Sequence, residues 1–201
     1  MPSEIRVYFD GDPKLRPGFD ELFGELHRAA RECGIAIHFV GCKARTAKSF
    51  RLALEDYPDA LNLLLMDAES PVSSTDAWEH LRTRSDNQVS RPQGTSAGQA
   101  HLMVQLMESW FLADREMLSR FYGQKFLASR LPARADVENV AKKDVISTLR
   151  AATRRTPKGD YHKTRHAPEL LARLSRERVC DASPWCKRLF ETIERAIEAA
   201  G

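Results

Sequence analysis

Across the first seventy residues, short continuous apolar runs alternate with stretches of helical spacing, the pattern of a βαβαβ unit. Residues 4–10 (EIRVYFD) are β-branched and aromatic, and they stop at Asp10-Gly11-Asp12-Pro13, a cluster no strand continues through. From Pro17 onward, Phe19, Leu22, Phe23, Leu26, Ala29 and Ala30 recur at helical spacing as far as Cys33-Gly34, which predicts one crossover helix. A second strand is expected over 35–42, a second helix over 46–57 and a third strand over 60–67. That third run is almost wholly apolar, as in a strand covered on both faces at the centre of a parallel sheet. Short connections favour a right-handed, doubly wound topology.

Beyond Asp67 the pattern loosens. Residues 75–84 read as a short helix with Thr75 as N-cap and Trp78 and Leu81 facing inward, followed by a polar loop over 85–99. Residues 101–107 read as a fourth strand running into a helix over 108–121. Further helices are expected near 142–152, 168–175 and 184–200. The fold class is therefore α/β: a mostly parallel central sheet of about four strands with flanking helices over 1–122, and a helical appendage over 123–201 packed on it.

With 201 residues, 42% hydrophobic and 29% charged, the composition is that of a globular chain and excludes a disordered, fibrous or disulfide-scaffold protein. The longest nearly apolar run, 60–66, contains Asn62 and is far short of the roughly 18 residues a membrane helix needs. The first residues carry no apolar signal core, so a cytoplasmic protein with no membrane contact is expected, and Cys33, Cys42, Cys180 and Cys186 are read as reduced thiols without a close pair. His162, His166, Cys180 and Cys186 miss the spacing of a zinc site. No G-x-x-x-x-G-K loop is present, so the chain carries no NTPase motor of its own.

Ligands of open parallel sheets bind beyond the carboxyl ends of the strands. Two strands end in acids: Asp10 and Asp12 in F-D-G-D, and Asp67 and Glu69 in L-L-L-M-D-A-E. Adjacent strands would bring these carboxylates into one small volume, where they repel one another unless protons or a divalent cation neutralise them. Hence a metal-dependent phosphoryl-transfer site, with Mg²⁺ polarising a phosphodiester and a free carboxylate moving a proton, is one reading. Turn formation and helix capping by the same acids is the other.

The acidic end of the first strand with D-x-E after the third resembles the TOPRIM fold, the metal-binding domain of topoisomerases, primases and overcoming-lysogenisation-type nucleases. The strings H-L-M-V-Q-L-M-E-S-W-F-L-A-D at 101–114, T-P-K-G-D-Y-H-K-T-R-H-A-P-E-L-L at 156–171 and P-W-C-K-R-L-F at 184–190 are similar to an uncharacterised, TOPRIM-like bacterial family. Its genes often lie beside AAA-type ATPases in defence-related neighbourhoods. The resemblance spans nearly the whole chain. It implies catalytic roles for Asp10, where the family has Glu, and for Asp12, and metal binding (Mg²⁺ or Mn²⁺) by Asp67 and Glu69, with Glu108 as an outer ligand. It further implies a nuclease acting in antiphage defence with an AAA-type ATPase partner; a homo-oligomer is left open. Asp in place of Glu favours the alternative, a non-catalytic module that docks on the ATPase and holds nucleic acid or a trigger protein.

A net charge of +3 says little by itself. The basic residues are nevertheless concentrated: Arg154, Arg155, Lys158, Lys163 and Arg165 surround a Pro-Lys-Gly-Asp turn and Tyr161, which predicts an exposed loop able to grip DNA or RNA phosphates and stack one base. A solvated linker is the plainer reading.

Overall fold

The computed structural model describes residues 2–133 and 136–201. Four strands, β1 (Glu4–Phe9), β2 (Ala36–Gly41), β3 (Leu61–Asp67) and β4 (Ala100–Met103), form one all-parallel sheet in the order β2-β1-β3-β4. β3 lies between β1 and β4, which explains its continuous apolar character: every residue from Asn62 to Asp67 is buried. The pleat divides the core. Ile5, Val7, Phe9, Leu63 and Leu65 face one apolar cluster, whereas Tyr8, Leu64 and Met66 face the other.

On the second face lie α3 (Thr46–Asp56) and α4 (Ala77–Thr83), which contribute Phe50, Ala53, Trp78 and Leu81. The N-cap of α4 is Asp76, whose carboxylate accepts from the Trp78 N–H at 2.9 Å, rather than Thr75. The first face is covered by α1 (Arg16–Leu22), α2 (Gly24–Glu32), α5 (Arg115–Tyr122), α6 (Lys142–Thr153), α7 (Lys163–Arg173), α8 (Arg176–Ala182) and α9 (Pro184–Glu198). A single apolar cluster runs from Ile5 of β1 to Ile197 of α9, so the carboxy-terminal helices share their core with the sheet.

Three expected elements are drawn differently. The first crossover is broken at Phe23, whose ring stacks on Phe190 with centroids 4.0 Å apart. The expected helix over 108–121 is a 3₁₀ turn over Met107–Ala113 followed by α5, because Asp114 caps α5 by accepting from the Met117 N–H at 2.9 Å. Finally, α7 begins at Lys163 and carries Pro168 within it instead of starting there, and α8 was not expected.

The close approach of α1 to α7 depends on Gly18, where an added Cβ would stand 2.7 Å from the Pro168 carbonyl oxygen and 2.9 Å from the Leu171 Cβ. Gly18→Ala is therefore expected to cost about 1–3 kcal/mol in denaturant unfolding. Gly24→Ala, whose Cβ would meet nothing within 4 Å, should cause no loss. Equal midpoints for the two variants would refute this account.

Candidate functional site

The carboxyl edge of the sheet is assembled from four segments. β1 and β3 are direct neighbours, and the Asp10 N–H donates to the Leu65 carbonyl at 2.8 Å, which sets Asp10 beside the end of β3. Asp67 is the last residue of that strand and is buried. Its Oδ1 accepts from the Met107 N–H at 2.8 Å, and its carbonyl accepts from Arg84 Nη1 at 2.8 Å. Arg84 is itself buried and is held by Asp86 through Nε and Nη2, at 2.9 and 2.5 Å. The 3₁₀ turn after β4 points Glu108 inward, fully buried. Glu108 Oε1 accepts from the Tyr161 hydroxyl at 3.0 Å and lies 3.3 Å from Lys163 Nζ, while Oε2 is buried without a hydrogen-bond partner.

Electrostatics tie these groups together. Burial pushes the Asp67 carboxyl up to about 7; Glu108 and, more weakly, Asp10 add to the rise, against Lys163 and the Met107 hydrogen bond. Burial likewise raises Asp10, with Arg84, Lys163 and Lys142 opposing. Burial works against the Lys163 ammonium, but Glu108, Asp67 and Asp10 outweigh it and hold its pKa above the ordinary value. Burial, reinforced by Glu108, raises the Tyr161 phenol, so it remains a donor. Two buried acids, Asp67 and Glu108, the half-buried Asp10 and the exposed Lys163 ammonium therefore share one edge: a site able to hold a proton at neutral pH, attract a cation, and present a positive charge to a phosphate.

Not every expected residue joins this group. Asp12 accepts from the Lys14 N–H at 3.0 Å, capping a 3₁₀ turn, and pairs with Lys43 at 3.3 Å; the Lys14 hydrogen bond holds its carboxyl low. Glu69 takes a positive φ of 67° and ion-pairs with Lys142, and its N–H donates to the Gln105 carbonyl at 2.7 Å. As the side chains stand, no three His, Cys, Asp or Glu among the described residues are gathered closely enough to hold a metal ion.

The basic segment also divides. Arg154, Arg155, Lys158 and Arg165 are exposed, with Arg165 Nη2 donating to the Lys158 carbonyl at 2.9 Å. Tyr161, expected as an exposed stacking ring, is only 3% exposed and is committed to Glu108, because Thr153 Oγ1 accepts from its N–H at 2.7 Å and draws it into the core. Lys163 is exposed as expected, but it stands on the first turn of α7 and pairs with Glu108 of the acidic edge. Sequence reasoning missed Arg84, Lys142 and the donor role of Tyr161. Arg84 stands just before a polar loop, and nothing local distinguishes it from a solvated arginine.

Among the described residues, no helix is long and apolar enough to cross a membrane. A family model described as "Domain of unknown function (DUF4276)" matches residues 14–194. Among solved structures, the chain is similar to the C-terminal region of the Xanthomonas campestris pv. campestris OLD protein, with 14% identity over 99% of this chain and 97% of that one and a TM-score of 0.49. It is also similar to the C-terminal region of the Burkholderia pseudomallei OLD protein, with 15% identity over 98% and 99% and a TM-score of 0.48. No curated protein matches.

Proposed function

The chain belongs to the DUF4276 family, and from that premise and the geometry of its sheet edge we propose that it cleaves phosphodiester bonds in nucleic acid with the help of Mg²⁺ or Mn²⁺. One observation carries the reading: Asp10, Asp67 and Glu108 converge on one edge, and a buried Glu108 oxygen has no partner. The donor set is of the right chemistry, since hard carboxylate oxygens suit these cations. Asp67 and Glu108 would hold the ion, with Asp10 beside them. When bound, the cation supplies Lewis-acid activation of the phosphodiester and of water.

The protein's own groups have separable tasks. The Met107 N–H and Arg84 fix the Asp67 side chain and backbone, and Tyr161 fixes Glu108. Asp10, its carboxyl raised by burial, accepts the proton of the attacking water. Lys163 neutralises the acids at rest and can turn its ammonium to a non-bridging phosphate oxygen. The exposed cations Arg154, Arg155, Lys158 and Arg165 hold the substrate backbone without reading bases. The resemblance to TOPRIM-like proteins supports the same chemistry and an AAA-type ATPase partner in antiphage defence.

A second reading rests on Lys163. With its ammonium already placed against Glu108, and no three acids among the described residues gathered for a metal, the edge suits a non-catalytic module that binds nucleic acid through the basic surface alone. Incubation of the chain with supercoiled plasmid and with RNA at millimolar Mn²⁺ or Mg²⁺ separates the two. Metal-dependent, chelator-sensitive cleavage is expected, falling about 10²–10⁴-fold in Asp10→Asn with an unchanged circular dichroism spectrum. Steeply salt-sensitive binding without cleavage, with or without an ATPase, would establish the module instead.

A further inference from the structure

Building on the nucleic-acid reading above, we propose that a cavity between α5 and the end of α7 binds the terminal phosphate of a nucleic-acid strand. The cavity, of about 280 Å³, is lined by Met117, Arg120 and Phe121 of α5 and by Arg173, the last residue of α7, with no acid in its wall. Met117 and Phe121 are buried and supply an apolar wall, whereas both arginines are exposed. Edge contacts with Tyr122 and His166, at centroid distances of 4.8 and 5.9 Å, fix the Phe121 ring.

The cations around this ring are arranged to receive an anion. Arg173 Cζ stands 5.7 Å from the Phe121 centroid and Lys158 Nζ 4.5 Å from it, so the ring positions both charges. Arg173 keeps one long ion pair, with Glu169 at 3.7 Å, and both partners are exposed. Arg120 is unengaged: among the described residues, none takes its guanidinium as a hydrogen-bond, ion-pair or ring partner. Glu116, one helical turn before it, is committed to Arg178 at 2.6 Å. Two guanidinium forks thus line the cavity and an ammonium lies on its aromatic wall, against one exposed carboxylate.

Charge and shape favour a strand end over an internal linkage. A terminal phosphate projects from the chain, carries nearly two negative charges at neutral pH and offers three free oxygens, which suit bidentate guanidinium forks. An internal diester carries one charge and offers two free oxygens. The cavity also continues the basic surface. The Lys158 carbonyl accepts from Arg165 Nη2 at 2.9 Å, and Arg165 Nε donates to His166 Nε2 at 3.0 Å, which ties the basic loop to the Phe121 wall. In the other direction α7 runs from Lys163, beside Glu108, to Arg173, a span of about 15 Å at the rise of an α-helix. A strand end held at Arg173 therefore leads its backbone along α7 toward the acidic edge.

The test measures binding by the full chain in EDTA, which withholds the metal. Oligothymidylates labelled at an internal base and carrying a 5′-phosphate, a 3′-phosphate or neither are titrated by fluorescence anisotropy at fixed salt. One phosphorylated form is expected to bind about tenfold more tightly than the strand without a terminal phosphate. Arg120→Gln and Arg173→Gln, both at exposed positions, should remove that preference and leave the unphosphorylated strand bound as before, with unchanged circular dichroism. The double variant Arg154→Gln/Arg155→Gln should weaken all three strands by the same factor and keep the preference. The thymidine monophosphate bearing the same ester should compete only at about 100-fold higher concentration, since it lacks the diesters the basic loop holds. Competition at equal concentration would assign the cavity to free nucleotides and overturn the strand-end proposal. Equal binding of the three strands, or a preference that survives both substitutions, would overturn it as well; metal-dependent cleavage retained in that case would leave the function above standing. A phosphate preference without cleavage at millimolar Mn²⁺ would do the reverse.

Discussion

Asp67→Asn is expected to abolish metal-dependent cleavage while raising the thermal stability of the protein at pH 8. The two effects share one cause. Asp67 is buried at the end of β3 beside Glu108 and Asp10, and its carboxyl is pushed up to about 7 from an ordinary 3.8. A carboxyl raised on folding contributes its full stability below the unfolded value and loses it as pH rises through the folded one. A tenfold change in proton affinity corresponds to about 1.4 kcal/mol, so ionisation of this group costs the fold roughly 2–4 kcal/mol above pH 7. Asn presents the same Oδ1 to the Met107 N–H and offers its amide to the neighbouring acids, so the strand end keeps its hydrogen bond and loses the charge. A melting-temperature gain of about 5–10 °C at pH 8 that vanishes near pH 4, together with loss of cleavage, is the expected result. Millimolar Mn²⁺ should narrow the gap by stabilising the wild type alone. Cleavage that survives the substitution would remove Asp67 from the site; a stability gain independent of pH would remove its ionisation from the argument.

The residues that belong to this edge were only partly legible in the sequence. Asp10 and Asp67 could be found because a strand end is visible in the pattern itself, where an apolar run meets a breaker, and parallel topology then fixes where such ends gather. Asp12 and Glu69 carry the same local signature yet make other contacts: Asp12 caps a 3₁₀ turn, and Glu69, at a left-handed backbone angle, ion-pairs with Lys142. Glu108 lay near the right place but in an unexpected turn, because Asp114 caps the following helix and ends the turn before it. Tyr161 was misplaced, and the pairing of Lys163 went unseen, for a different reason. The burial of Tyr161 and the pairing of both residues depend on Glu108, more than fifty residues earlier, and a local run of basic residues carries no trace of that contact. Pro168 misled in its own way. Proline is favoured at the first turn of a helix, but α7 begins at Lys163 and carries Pro168 within it, where Gly18 leaves room for the Pro168 carbonyl against α1.

The opposite stability profile is expected from His101, and His101→Leu should stabilise the protein increasingly as the pH falls below 6.5. Along β4, Ala100 and Leu102 face the α4 side, and His101 points to the other face, where α9 packs on the strand. Its imidazole is entirely buried, and neither ring nitrogen has a hydrogen-bond partner of good geometry. Burial, helped by the charge of Arg188, lowers the ring to about 3; the Gly98 backbone opposes this only in part, and Arg195 adds a little. A histidine lowered on folding gives its full stability above the unfolded value of 6.5 and loses it as protons bind the unfolded chain. Between pH 6.5 and 5 the loss is about 2 kcal/mol. Leu fills a similar volume with nothing to satisfy, which adds about 1–3 kcal/mol at neutral pH by removing an unpaired polar ring. In urea titrations the variant should show a higher midpoint at pH 7 and a wider margin at pH 5. In the wild type this loss runs against the gain from Asp67 over the same interval, so the double variant Asp67→Asn/His101→Leu should lose both slopes and respond less to pH than either single variant. A lower midpoint for His101→Leu, or a margin constant between pH 7 and 5, would mean that the imidazole has a partner in the folded protein and is held there by it.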